Sequence, residues 1–311
     1  MKYPWLSILL LAALLWSCEE EFIPDEITVV PQIVVEGYVE AAGENSTPPY
    51  VILTRNLPFF STLDSTEFSD IYVHDALVTV DNGDAIMQLT EVCLNDLSPE
   101  QVAVAEAFLG VNIDLVPISF CVYLDLTLAY VGEAGKTYDL RIEAEDKVIT
   151  ASTTIPEHAP LDSLWFVEPP GQATRDTLAQ LQVQLTDPAG PTFYRYFVNA
   201  NNAGFQRDDF SVLDDGFFDG EEIVFPLNKP AVDSVDFDLS TFGLFTRGDE
   251  VTVKWITFER DVFDFWNTIE FAAANQGPFS NATIIDSNVE GGLGVWAGQS
   301  ASYYDLVVPE R

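Results

Sequence analysis

Residues 137–143 read T-Y-D-L-R-I-E, with polar and apolar side chains in strict alternation. Successive side chains of a strand point to opposite faces, so this spacing belongs to a strand with one face buried and the other in water. Working outward, residues 148–154 and 120–129 carry further β-branched and aromatic runs. Nearer the start lie residues 32–40 (Q-I-V-V-E-G-Y-V-E), 50–54 (Y-V-I-L-T), 76–80 (A-L-V-T-V) and 85–90. Asp81-Asn82-Gly83-Asp84, between the last two, signals a hairpin because Asn and Gly tolerate positive φ. Ser98-Pro99-Glu100-Gln101 breaks the pattern. A capping Ser, a Pro at the first helical position and a Gln three residues after the cap predict a helical insertion over about residues 94–120. Seven short strands separated by turn signals predict a mostly β fold, with an immunoglobulin-like β-sandwich over residues 32–156.

Pro156 and Pro160 interrupt any regular element and mark a domain junction. Residues 161–311 are expected to form a second β-rich domain with strands at 163–167, 179–186, 194–199, 222–226 and 251–258. Its helix is predicted over residues 261–275, where Val262 or Phe263 shares a face with Trp266 and Ile269. Such an aromatic stripe reads as core. Gly291-Gly292-Leu293-Gly294-Val295-Trp296 predicts a glycine-enabled turn into a final strand.

At the other end, residues 5–18 read W-L-S-I-L-L-L-A-A-L-L-W-S-C behind Lys2. At about 1.5 Å per residue the apolar run is too short for a bilayer core of about 30 Å, so residues 1–17 read as a signal peptide. Ser17 before Cys18 makes this cysteine the expected lipidation site, acylated after cleavage. Residues 18–31, acidic and holding Pro24 and Pro31, read as a tether. The chain has 13 basic against 50 acidic residues, a formal charge of −37, which argues against nucleic acid and anionic lipid as partners. Its surface reads as solvated and self-repelling. With Cys18 acylated, Cys93 and Cys121 remain, and in an oxidising compartment they read as a disulfide at the two ends of the insertion. Two buried free thiols are the alternative.

Catalytic patterns are missing. His74 and His158 fall in different expected domains, and no nucleophile elbow, zinc-binding helix, P-loop or dinucleotide fingerprint occurs. No catalytic residue and no cofactor are therefore expected. Paired carboxylates carry little information among so many acids. The densest cluster runs from Asp208 to Glu222, and Asp214, Asp215 and Asp219 in its glycine-bearing loop are the calcium candidates, although the spacing departs from the EF-hand pattern. Phe59-Phe60, Phe217-Phe218 and Tyr303-Tyr304 are the aromatic pairs able to stack on sugars if exposed.

Ser287-Asn288-Val289-Glu290-Gly291-Gly292-Leu293-Gly294-Val295-Trp296 resembles the tail signature of domain-of-unknown-function family 4249 (DUF4249), lipoproteins of the Bacteroidota. Val34-Val35-Glu36-Gly37, Gly135-Lys136-Thr137-Tyr138, Ile155-Pro156, Thr186-Asp187-Pro188, Tyr194-Arg195-Tyr196 and Gly248-Asp249-Glu250-Val251 are similar to further family motifs in the same order. The resemblance implies an outer-membrane lipoprotein, often encoded beside a SusC-like TonB-dependent transporter, and it carries over no functional residue. It also implies that Glu19, Glu20 and Glu21 act as a surface-export signal. The resulting expectation is a non-enzymatic, lipid-anchored protein facing the cell exterior and serving a TonB-dependent receptor barrel as an accessory or ligand-capturing subunit. A stand-alone glycan-binding or adhesive module is the alternative, and a carboxylate-dependent hydrolase a remote one.

Overall fold

Residue 137 does open a half-buried strand. Tyr138, Leu140, Ile142 and Ala144 are buried while Thr137, Asp139, Arg141 and Glu143 face solvent. The computed structural model describes residues 31–57, 71–94, 97–98, 102, 120–127, 130–169, 171, 176–208, 210–230, 241–275 and 283–310. The expected signal peptide, most of the tether and nearly all of the helical insertion lie outside the described residues.

The first strands are β1 (Ile33–Ala41), β2 (Tyr50–Arg55), β3 (Leu77–Asp81), β4 (Ile86–Cys93), β5 (Cys121–Leu124), β6 (Thr137–Ala144) and β7 (Lys147–Thr154). They are followed by β8 (Ser163–Val167), β9 (Leu178–Thr186), β10 (Phe193–Ala200), β11 (Val212–Asp214), β12 (Glu222–Leu227), β13 (Phe245–Thr246) and β14 (Glu250–Phe258). The helix α1 (Arg260–Ala274), the short β15 (Val289–Glu290) and the long β16 (Leu293–Val307) complete the order. The fold is mostly β and sandwich-like, as the alternation predicts. Glu145 and Asp146, both at positive φ, close the tight β6–β7 hairpin, and Asn82 caps the β3–β4 turn through its side-chain oxygen.

Twelve strands form one sheet in the order β11-β10-β14-β16-β1-β2-β5-β4-β3-β6-β7-β15. Its centre is the parallel pairing of β16 with β1, running from Val34 opposite Leu293 to Ala41 opposite Ser300. The described residues from Gln32 onward, Leu57 aside, thus form one compact unit. A second sheet consists of β12-β9-β13 with β8 also on β9.

Three apolar clusters fill the layers. Inward residues of β1 and β2 meet those of β3, β6 and β7 around Trp296. Leu181, Val183 and Leu185 of β9 cover one face of β10, β14 and β16 around Trp255. The opposite face of those strands takes α1 through Val262, Phe263 and Phe265. Residues 155–160, the expected junction, lie between the first two clusters, yet β16 contributes to all three. Trp296 fits because Gly37 faces it: a Cβ there would lie 2.7 Å from the ring. Gly294 is equally forced, with φ +112 and a Cβ position 1.9 Å from the Val35 carbonyl oxygen.

Candidate functional site

Helix α1 covers only part of its face of the sheet. The uncovered part is a half-open cleft of about 540 Å³ floored by β1, β2, β10, β14 and β16. Alternation places the floor: Glu36, Tyr38 and the buried Glu40 of β1 share a face because they are spaced by even numbers, as do Thr252, Lys254 and Ile256 of β14 and Gln299, Tyr303 and Asp305 of β16. Register then sets Lys254 beside Tyr303, Thr252 beside Asp305, and Tyr50 beside Tyr38. Asn45 and Thr47 from the β1–β2 connection and Phe205 from the β10–β11 connection form the rim.

The charges of the floor are arranged in pairs. Glu40, with no solvent exposure, accepts from Gln299 Nε2 at 2.6 Å and from Tyr303 Oη at 3.1 Å, and Lys254 Nζ stands 2.5 Å from it. Burial works against the Lys254 ammonium, but Glu40 and Tyr303 hold its pKa above the usual lysine value. Tyr38 donates to Glu36 at 2.8 Å, and Thr252 donates to Asp305 at 2.6 Å. Burial, then the Glu36 carboxylate, pushes the Tyr38 phenol well above its ordinary value, so it stays a donor. At the border with the helix, Arg195 is buried with its guanidinium 3.8 Å from the Trp266 ring centre and 4.8 Å from that of Phe197. It donates through Nε to Ser211 at 3.0 Å and through Nη2 to buried Glu270 at 3.4 Å. Nη1 makes no hydrogen bond among the described residues.

The residues singled out from sequence are spread more widely. Cys18 and Glu19, Glu20 and Glu21 lie outside the described residues. Cys93 ends β4, Cys121 begins β5, and the two stand directly opposite each other in the ladder, joined by a disulfide. The bridge closes the insertion at its base. His74 Nδ1 lies 2.5 Å from Glu91 beside this disulfide, but bonded sulfurs offer no thiolate to a metal.

The acidic loop gathers a different triad from the expected one. Asp214 turns to the Gly216 N–H at 2.8 Å, while oxygens of Asp215, Asp219 and Asp187 lie within 4.8 Å of one another. Asp187 and Asp215 are buried. These three are the carboxylates able to ligate a hard cation such as calcium. They also accept from Thr192 N, Gly190 N, Gly220 N and Tyr194 Oη, and so tie the β9–β10 turn to the loop. Burial, and then Asp187 and Asp219, raise the Asp215 pKa. Asp187 was visible in sequence only within the family-like Thr186-Asp187-Pro188 motif.

Of the aromatic pairs, Tyr303 lines the cleft, while Tyr304 points to the opposite face and exchanges hydrogen bonds with the Leu161 backbone. Phe217 is fully exposed and Phe218 packs on the second cluster. Phe59 and Phe60 lie outside the described residues. His158 Nε2 is 2.7 Å from Ser302 Oγ, and its buried Nδ1 has no partner among the described residues. Among the described residues no helix is long and apolar enough to cross a membrane.

Arg195, Lys254, Gln299 and Thr252 drew no attention from sequence as site residues. Arg195 entered only within a Tyr-Arg-Tyr motif. The available signal was scarcity: the chain has 13 basic residues, and Arg195 and Lys254 fall within runs read as strands.

No curated protein matches the chain. A family model described as Domain of unknown function (DUF4249) matches residues 19–304. The match begins just after Cys18 and runs into β16, and on that extent the chain belongs to the DUF4249 family.

Proposed function

We propose that this protein is a non-enzymatic capture lipoprotein of the Bacteroidota outer membrane, anchored through acylated Cys18, facing the cell exterior and serving a SusC-like TonB-dependent barrel. The observation that carries the binding role is the cleft lined by Lys254 and Arg195, with Glu40 buried against Lys254. Buried charges are costly unless paired, and here pairing and burial lie beneath an open cavity of ligand size. Pre-paired groups of this kind orient a ligand without supplying an activated nucleophile. The apolar leader, Cys18 and the three glutamates after it support the anchored, exported setting. A strongly acidic surface suits an exported protein that must stay soluble beside a membrane.

Two measurements test this. Metabolic labelling with a palmitate analogue should mark the parent chain and fail on Cys18→Ser. Affinity purification from detergent-solubilised outer membranes should bring a barrel of the TonB-dependent class down with the chain. Recovery of the chain alone would leave the stand-alone module as the better reading.

A further inference from the structure

The cleft's chemistry limits what it can hold. Arg195 and Lys254 are answered by Glu270 and Glu40, and the further carboxylates Glu36 and Asp305 leave the site with excess negative charge. An anionic ligand would therefore meet repulsion. A cationic one would meet the two resident cations across the floor. Arg195 and Lys254 already have carboxylate partners, so a charged ligand would have to compete with these pairs, whereas an uncharged one leaves them intact.

The open valences have another character. Arg195 Nη1 remains as a donor, and Glu36 Oε2 and Asp305 Oδ2 remain as acceptors, none bonded among the described residues. The cavity thus offers both a donor and acceptors. A hydroxyl group both donates and accepts, so it completes such an array while leaving every charge pair balanced. The walls add aromatic rings: Tyr50 lies beside Tyr38 at 5.2 Å, and Phe205 stands edge-on to Tyr303 at 5.9 Å. Rings of this kind take the C–H face of a cyclic polyol.

From this geometry we infer that the cleft between the β10–β11 connection, the β1–β2 connection and helix α1 binds an uncharged oligosaccharide. Glu36, Asp305 and Arg195 hydrogen-bond its hydroxyls, and Phe205 with Tyr303 packs on a ring face. The inference rests on the capture reading above and narrows it to a ligand class.

The test uses the full chain in detergent micelles. It is screened on an array of neutral glycans, and hits are titrated by calorimetry beside an oligogalacturonate and a zwitterionic tripeptide. Glu36→Gln, Asp305→Asn and Phe205→Ala alter exposed side chains, and an unchanged melting temperature shows that each variant folds. The expected result is binding of a neutral glycan, weakened about tenfold or more by Glu36→Gln and by Phe205→Ala, because each removes a charge-assisted bond or a stacking wall. Binding of the oligogalacturonate or the tripeptide, sensitive to these variants, would overturn the ligand class and leave capture standing. Neutral-glycan binding that all three variants leave unchanged would move the site elsewhere and overturn the assignment. Absence of binding across all probes would overturn the neutral-glycan assignment, while the labelling and co-purification above decide the capture reading separately.

Discussion

Asn288 offers a sharp test of how β16 is held. Strand β14 pairs with β16 only from Gln299 to Val307, so the edge of β16 before Gln299 lacks that neighbour. Asn288 takes its place: the Trp296 N–H donates to Oδ1 at 3.0 Å, and Nδ2 donates to the Trp296 carbonyl at 2.8 Å. Asn288→Ala strands both backbone groups of a fully buried residue. Each stranded group costs about 1–3 kcal/mol, and partial access of water through the half-buried Asn288 position puts the sum near about 2–3 kcal/mol. At about 2–4 °C per kcal/mol for a chain of this size, the melting temperature should fall by about 5–10 °C. Asn288→Asp refines the test. Its carboxylate still accepts from the N–H but sets a second oxygen against the carbonyl, so the folded state favours the protonated form and raises that carboxyl's pKa. The penalty should therefore shrink as pH falls through the raised folded value toward the unfolded one of about 3.9, and stay level below it. Thermal melts of parent and variants across this pH range are the assay. An alanine variant within about 0.5 kcal/mol of the parent, the range of ordinary surface changes, would refute the reasoning. So would an aspartate penalty that does not change with pH.

Other perturbations probe other layers. Replacing Cys93 and Cys121 by serine removes a bridge over 28 positions and should lower stability by about 3–4 kcal/mol on the chain-entropy estimate, measured by urea denaturation. Lys254→Met leaves Glu40 charged and buried without its cation, at a cost of about 3–5 kcal/mol, and the double variant Glu40→Gln/Lys254→Met should recover most of it. A double variant no more stable than the single one would show that the pair is not the cause. Burial holds the His158 pKa below its ordinary 6.5. Unfolded chains therefore take up this proton first, and stability should decline as pH falls through about 6.5, levelling off below the folded value. His158→Gln should flatten that slope in melts between about pH 7 and 5, and an identical slope would assign it to other groups.

Local structure was largely legible in the sequence. The alternation at 137–143, the D-N-G-D turn and the aromatic period of α1 each reflect contacts within a few residues or burial on one face. The helix runs over 260–274 against the expected 261–275, a shift of one residue. What the sequence hid was long-range pairing. Nothing in residues 33–41 announces that their parallel partner is 293–300, since side-chain period fixes the face of a strand and leaves its neighbour open. The cleft was hidden for the same reason. Its residues come from five strands, each with an ordinary alternating pattern, and only register brings Glu40, Lys254 and Tyr303 together. The tail signature was legible as a signal, whereas its meaning became clear only in the fold. Asn288, Gly294 and Trp296 hold a strand in place.

The position of β16 has a consequence for the order of events during synthesis. The first apolar cluster needs Trp296, the second needs Tyr304 and Leu306, and the third needs Val295 and Ala301. Each cluster is complete only once residues 293–307 have left the ribosome. Pairing β1 with β16 joins positions some 259 apart, as in the Glu40–Gln299 bond, and contacts of such separation form slowly. For the exported chain proposed above, completion of all three clusters would wait until residues 293–307 have passed the secretion pore.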